Sequence, residues 1–506
     1  YGARGANGVI MITTKRAKGR DAIVNVDMRV GVNSRAAQDY EYVTDPGEYY
    51  ELHYRALYNN HIAKGKGAIE AWQLANNDLI GNAASGGLGY NVFTYPESQT
   101  LIGTNGKLNP NATLGRLVNY KGQDYWVTPD NWIDEVYGTG IRQEYNASVS
   151  ATTDRSNFYA SFGYLNNDGV VEKTNYERYT ARLRADFQAK KWLKVGANVA
   201  YSHDSSEYST SEGESGSSAN IFAFTAKMAP IYPLYVRDGN GNIMVDDNGN
   251  IVYDFGDASQ PGGNAGFNRP VHAGSNGVGA HMMDISNYTT NTLQLNGFAD
   301  VTFLKDFKFT FNGGIYLMEQ GSTSMTNPWY GQYRTSNGMI SKARYQNFTY
   351  NLQQILNYTK QIGKHNINAM IGHENYVATS ASVSGNKSNM FSPSMLELPM
   401  AMKTVSTSSA SSEYNNEGYF FRAQYEFDGR IFASASYRRD ASSRFHPDHR
   451  WGNFWSVGAA WLINRENWFK ADWIDMLKVK ASYGSQGNDS IGANQYRRTW
   501  GVTESE

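Results

Sequence analysis

The sequence predicts an all-β protein whose main unit is a transmembrane antiparallel β-barrel. Segments of about ten to thirteen residues alternate apolar with polar side chains and come in pairs. The connection within a pair is short, whereas most connections between pairs are long. Aromatic residues gather at the strand ends beside the short connections, as in an interfacial girdle. Because a tilted membrane-spanning strand needs about 9–11 residues, these features together favour an outer-membrane barrel.

Composition narrows the function classes. The chain has 506 residues and no cysteine, which argues against a disulfide scaffold and a thiolate metal site. Its net charge of −1 provides no basic field for nucleic acid. A mean hydropathy of −0.57 excludes a transmembrane helix but suits barrel strands, which are polar on average. The sequence begins without Met and stops within an apparent loop or strand, so we expect a part of a longer protein.

A long insert follows the first predicted strand, which covers residues 21–33. The insert, residues 34–140, has no period-2 pattern and contains helix signals. Asp45 is a capping residue, followed by Pro at the first helical position. Three helices are predicted in the insert, at 46 to about 59, at about 68–79, and starting near Trp132.

The other predicted strands form six pairs. They are 144–151 with 157–166, 177–188 with 192–202, 291–303 with 307–317, 347–360 with 364–376, 418–427 with 430–440, and 452–463 with 476–486. The turn Asp428-Gly429 is a two-residue hairpin signal. Long connections are predicted at about 203–290, 318–346 and 377–416, which gives about thirteen strands in all.

Alternation assigns each strand residue to lipid or to the lumen. The residues predicted to face lipid are Val26, Val30, Tyr179, Leu183, Leu293, Leu295, Phe309, Phe421, Ala435 and Val479. Those predicted to face the lumen are Asp27, Arg29, Arg182, Arg184, Gln424, Arg438 and Lys480. A soluble β protein such as a propeller also alternates, but the strand length and the dense arginines of one face favour a wet barrel interior.

The first fifteen residues are a glycine-rich loop that leads into a short β-branched strand. They resemble the end of the plug domain in SusC/RagA-like TonB-dependent transporters. The residues that match this plug-end motif include Tyr1, Gly2, Arg4, Asn7 and Gly8. A second specific match is the run from Tyr437 to Phe445, which departs from the family at Ala441, where Gly is usual.

The resemblance implies a barrel of twenty-two strands around a plug, of which this chain would hold about thirteen. Residues 1–18 would be the C-terminal end of the plug domain, and residues 19–506 the N-terminal part of the barrel. It also implies the outer membrane of a Gram-negative bacterium, the TonB energising complex and a SusD-like surface lipoprotein. Family substrates are mostly oligosaccharides, with peptides for some members, and neither a cofactor nor enzymatic activity is expected. The long connections would form the mouth and the lid contacts.

Other functions remain open from the residues. A siderophore or cobalamin receptor has the same barrel, although the motifs at 1–15 and 437–445 argue against it. A soluble glycan-binding β protein and an outer-membrane barrel enzyme belong to other classes. Detergent dependence and hydrolysis assays would separate these two from a transporter.

Candidate binding residues are aromatic. The densest cluster contains Trp329, Tyr330 and Tyr333, and a looser one contains Tyr232 and Tyr235. Such rings either form platforms for sugars or peptides, or pack loop against loop at the barrel mouth. The lumen-facing Arg178, Arg182, Arg184 and Arg438 are predicted to pair with the plug rather than with substrate.

Two aspartate-rich turns resemble the start of a calcium loop. They cover residues 238–242 and 246–250, but neither has the Gly at the sixth position or the Glu at the twelfth that such a loop requires. Their Asn-Gly dipeptides favour small hairpin turns. No metal site is predicted.

Overall fold

A single antiparallel sheet of thirteen strands dominates the described part of the chain. The computed structural model describes residues 21–36, 41–208, 221–260, 264–331, 333–471, 473–493, 495–498 and 500. The plug-end motif of residues 1–15 and the predicted domain boundary at residue 18 lie outside these ranges. The all-β prediction and the predicted number of strands are confirmed.

The helices and strands of the described residues have the following bounds. The strands are β1 Ile23–Asn33, β2 Phe93–Thr94, β3 Thr113–Leu114, β4 Arg116–Tyr120, β5 Gln123–Val127, β6 Gly140–Thr152, β7 Ser156–Asp168, β8 Asn175–Lys190, β9 Leu193–Glu207, β10 Ile285–Phe303, β11 Phe307–Thr326, β12 Met339–Ile362, β13 His365–Met390, β14 Ala401–Phe427, β15 Ile431–Ser442, β16 Trp451–Leu462 and β17 Lys478–Ser485. The helices are α1 Pro46–Ala63, α2 Ala68–Leu79, α3 Trp132–Val136, α4 Ile221–Lys227 and α5 Gly277–Met283. None of them is both long and apolar enough to cross a bilayer.

The large sheet is a meander in which β1 pairs with β6 and each later strand pairs with the next. Short turns join most strands at one end of the sheet, and most longer connections lie at the other end, which we call the rim. The exception is the connection between β16 and β17, which is long and lies at the turn end. Within the described residues, β1 and β17 each have a neighbour on one side alone, so this part of the sheet is open.

The register confirms the predicted separation of side chains into two faces. Residues directly opposite each other in an antiparallel ladder point to the same side of the sheet. Followed from strand to strand, the ladders place all ten residues predicted to face lipid on one side. All seven residues predicted to face the lumen lie on the other side. We call these sides the outer face and the luminal face.

Two of the predicted long connections are wrong. The structure continues β11 and β12 through most of residues 318–346, and β13 and β14 through most of residues 377–416. The true connections are only 327–338 and 391–400. Apolar alternation marks a strand only where one face meets lipid, whereas the hydrogen-bonded ladder continues beyond the bilayer, where both faces are wet.

The insert after β1 folds together with the connection between β9 and β10 into one unit at the rim. We call this unit, residues 41–139, 221–260 and 264–283, the rim lobe. Its buried core joins α1 and α2 to the second segment through side chains such as Tyr50, Leu79 and Phe224. The three predicted helices are confirmed, and Asp45 caps α1 by accepting the backbone N–H of Glu48 at 2.7 Å.

Candidate functional site: the luminal face and the rim lobe

A polar recess lies on the luminal face over β7 to β12. It has a volume of about 690 Å³. The side chains that line it include Arg182, Arg184, Asn198, Asn296, Phe298 and Asn351. Gly314 lies between Asn296 and Asn351 in the ladder, and a Cβ there would come within 3.0 Å of the Asn296 amide oxygen. Because Gly314 has no side chain, the recess is deeper at this point.

A second polar group on the luminal face connects β13 to β15. Arg438 pairs with Asp440 at 2.6 Å on its own strand and with Glu374 at 2.7 Å on β13. Both carboxylates are almost fully buried. The intervening strand contributes Gly418, which stands directly opposite both Glu374 and Asp440. A Cβ at Gly418 would lie 2.8 Å from the Arg438 guanidinium, so a glycine is needed for this three-strand bridge.

Sequence reasoning identified Arg438 but not its partners. Arg438 was predicted to pair with the plug. In the structure, Glu374 and Asp440 of the sheet itself neutralise its guanidinium, so no partner from the plug is required. The alternation of β13 already places Glu374 on the luminal face. Only the register, however, reveals that Glu374 and Gly418 are neighbours of residue 440.

The rim lobe has a polar centre within its apolar core. The Tyr90 hydroxyl donates to the Asp254 carboxylate at 2.9 Å, and Asn264 donates to both groups. Burial raises the pKa of Asp254, while nearby Arg269 acts in the opposite direction. The Arg269 guanidinium lies among three aromatic rings, about 6 Å from their centres. This network ties the two segments of the lobe together.

The aromatic candidates are divided between the core and the surface. Tyr232 and Tyr330 are 2 % and 3 % exposed, and both rings belong to the lobe core. Tyr330 stacks on Phe255 and donates its hydroxyl to Asp246 at 2.9 Å, which is loop packing rather than an open platform. Trp329 is half-buried and Tyr333 is 41 % exposed.

Tyr235 occupies an intermediate position. It is half-buried, its ring lies 5.5 Å from that of Tyr253, and its hydroxyl donates to Glu135 at 2.7 Å. A binding role for Tyr235, Trp329 and Tyr333 stays a prediction.

The two aspartate-rich turns are small hairpin turns in the lobe. Asp238 accepts the backbone N–H groups of residues 240 and 242, and Asp246 does the same with residues 248 and 250. These bonds lower the pKa of Asp246, although burial opposes them. The carboxylates of Asp238 and Asp246 therefore stabilise the two turns.

Lys173, in the turn between β7 and β8, joins the sheet to the lobe. Its ammonium donates to the backbone carbonyls of Met282 at 3.2 Å and of Asp284. The Asp284 carboxylate accepts both the backbone and the side-chain N–H of Asn327, at 2.9 and 2.8 Å. Three rim connections thus meet at the end of α5.

Asp284 makes this junction sensitive to pH. The residue as a whole is half-buried, but its carboxyl group is enclosed. Burial raises the pKa of Asp284 to about 6, although the hydrogen bonds from Asn327 and the charge of Lys173 act to lower it. Between about pH 4 and 6 the folded protein therefore binds a proton that the unfolded chain does not. We expect Asp284 to favour folding increasingly as pH falls through 6, by about 1–3 kcal/mol relative to neutral pH.

The measurement is the unfolding midpoint of wild type and Asp284→Asn in detergent at pH 7.5 and 4.5. Wild type should gain stability relative to the variant at the lower pH, because all other titrating groups are shared. If the difference in unfolding midpoint between wild type and Asp284→Asn is the same at both pH values, Asp284 is not the group that titrates.

A family model for the TonB dependent receptor-like β-barrel matches residues 232–501, more than half of the chain. The TonB-dependent receptor P3 of Formosa agariphila is 24% identical over 501 residues, which cover 97% of this chain and 41% of that protein. The TonB-dependent receptor SusC of Bacteroides thetaiotaomicron is 23% identical over 381 residues, 73% of this chain and 36% of that protein. The chain therefore spans about two fifths of the length of these relatives.

A solved structure of the RagAB peptide transporter is similar in fold. It superposes with a TM-score of 0.74 at 21% identity, covering 100% of this chain and 52% of that chain. The family is one of outer-membrane receptors of Gram-negative bacteria, which confirms the predicted location and the prediction that the chain is not an enzyme. The predicted resemblance is likewise confirmed. The chain belongs to the TonB dependent receptor-like β-barrel family.

Proposed function

We propose that the complete protein imports an oligosaccharide across the outer membrane, driven by TonB and assisted by a SusD-like lipoprotein seated on the rim. The observation that carries this proposal is the polar luminal face, which is lined by amides, arginines and aromatic rings and lies below an elaborated rim. Asparagine and glutamine side chains can exchange hydrogen bonds with many hydroxyl groups, as a path for sugars requires. The names of the matched SusC-type relatives are consistent with this class of transporter.

A peptide is the second candidate substrate. The solved structure of similar fold is that of a peptide transporter, and amide side chains also bond to peptide groups. Growth of the source organism with and without the gene, on a panel of glycans and of peptides, separates the candidates. Loss of growth on one glycan supports the proposal, whereas unchanged growth on all glycans with lost uptake of a peptide or an iron chelate contradicts it.

At the rim surface, Trp329 and Tyr333 are the aromatic residues that we propose contact the substrate. We expect the change of both residues to Ala to weaken substrate uptake about tenfold, since each lost ring contact costs about 0.5–1.5 kcal/mol. The measurement is the concentration of glycan that gives half-maximal uptake. Changing both to Phe keeps the rings and should preserve uptake. Equal loss in the Ala and Phe proteins would show that ring contacts are not responsible.

A further inference from the structure

One connection at the turn end of the sheet differs from the others at that end. The connection between β16 and β17 covers residues 463–477, whereas the hairpin turns beside it are as short as residues 428–430 between β14 and β15. A barrel needs only a few residues to join two neighbouring strands, so this length is not required by the topology. We call the first part of the connection, residues 463–471, the turn-end segment.

Polar contacts hold the turn-end segment against the hairpin of β14 and β15. One carboxylate oxygen of Glu466 accepts the indole N–H of Trp461 at 2.9 Å, and the other pairs with the Arg430 guanidinium at 2.6 Å. Arg465 donates to the backbone carbonyl of Gly429 at 3.3 Å. These contacts lead the segment away from β17 and toward β15 and β16, which have neighbours on both sides. The central strands of the sheet therefore fix its position.

The turn-end segment carries aromatic rings on the outer face. Trp461 is the last outward-facing residue of β16, because it stands directly opposite the lipid-facing Val479. The Trp468 ring lies 6.1 Å from the ring of Trp461, and the Phe469 ring packs edge-on against Trp468. Trp468 is 62 % exposed. The rings thus extend the lipid-facing surface of β16 beyond the end of the strand.

The chemistry of these side chains fits the inner boundary of the bilayer. An indole ring has an apolar body and an N–H donor, so it is stable where acyl chains meet headgroups. The short turns of an outer-membrane barrel face the periplasm, which places this boundary in the inner leaflet. Lys470 follows the rings and is exposed, so its ammonium can reach lipid phosphates while its stem lies along apolar surface.

We propose that the turn-end segment anchors the barrel in the phospholipid of the inner leaflet. Trp468 lies among the headgroups, and Lys470 pairs with a phosphate. Phospholipid is the partner that fits, because the rings are continuous with the face of β16 that already meets lipid. Glu466 connects this anchor to the turn before β15 and to the end of β16.

The test is fluorescence quenching in vesicles of phosphatidylethanolamine and phosphatidylglycerol. These 506 residues contain no cysteine, so a bimane label can be attached at one chosen residue of a full-length protein without other cysteines. The labelled variants are Trp468→Cys and Lys470→Cys, and Lys480→Cys on the luminal face is the matched control. We expect phospholipids brominated near the headgroup to quench both labels of the segment several-fold more than the control. Phospholipids brominated near the chain ends should quench them less.

Two results would overturn the inference. If the labels at residues 468 and 470 are quenched no more than the control, the segment lies in water, where its rings would be free to contact a periplasmic protein. Stronger quenching by bromines near the chain ends would place the segment in the hydrocarbon core. If Trp468→Cys does not fold, Lys470→Cys keeps every ring in place and provides the same comparison.

Discussion

Replacing Arg438 by Met should destabilise the folded barrel by about 3–5 kcal/mol. The substitution leaves Glu374 and Asp440 buried on the luminal face without the guanidinium that pairs with both. Removing one partner of a buried ion pair costs this much because the remaining charge is uncompensated. The measurement is the urea midpoint of the full-length protein refolded into lipid vesicles, or the fraction that reaches the compact, heat-modifiable form.

The adjacent arginine provides a matched control. Arg439 points to the outer face, where its guanidinium lies 5.1 Å from the centre of the Trp451 ring. Arg439→Met should therefore cost less than about 1 kcal/mol. Neutralising the carboxylates as well, in Arg438→Met/Glu374→Gln/Asp440→Asn, should restore part of the loss. If the triple variant is no more stable than Arg438→Met, unpaired charge is not the cause of the instability.

Replacing Leu183 by Arg should cost about 2–4 kcal/mol, the range for a cation on the lipid side of a barrel near the midplane. Leu183 is 47 % exposed on the outer face. On the same face, Tyr179 and Phe187 lie four residues to either side, and both are exposed aromatics of the kind that marks the membrane interfaces. Leu183 therefore lies halfway between the two interfaces. The measurement is the same urea midpoint in vesicles.

A cation on the luminal side of the wall should be tolerated. Gln294 faces the lumen from β10, next to the lipid-facing Leu293. Gln294→Arg should keep the midpoint within about 1 kcal/mol of wild type, since the lumen is wet. Equal losses in Leu183→Arg and Gln294→Arg would indicate that bulk or folding yield, and not lipid exposure, determines the outcome.

The sequence was sufficient for those parts of the fold that local chemistry determines. The cap at Asp45 and the hairpin turn at Asp428 are examples, and Asp428 and Gly429 both have the positive φ that such a turn requires, 52° and 64°. The two faces of the sheet were also predictable, because alternation needs only one side in lipid. The lengths of β13 and β14 were not, since their rim halves are rich in Ser and Thr and are wet on both faces.

The candidate site was less predictable than the fold. Tyr232 and Tyr330 occur in loop-like sequence, yet they are buried because segments far apart in the chain pack against each other. The Tyr232 hydroxyl, for example, donates to the carbonyl of Leu88. Contacts of this kind leave no periodic signal. The charged bridge of Arg438 similarly depends on a register across three strands, which a single sequence does not reveal.

The position of the rim lobe has a consequence for the order in which the wall assembles. β14 and β15 are joined by a turn of three residues, whereas β1 and β6 must meet across residues 34–139. Closing a flexible loop of that length costs about 3 kcal/mol more chain entropy than closing the short turn. Folding of the lobe shortens this connection, since β6 starts soon after α3, a helix that contributes to the lobe core. We therefore expect β6 and the strands after it to zip together first, and β1 to join as a late step that waits for the lobe. A destabilised lobe would then slow closure of the wall at β1 while leaving the remaining hairpins intact.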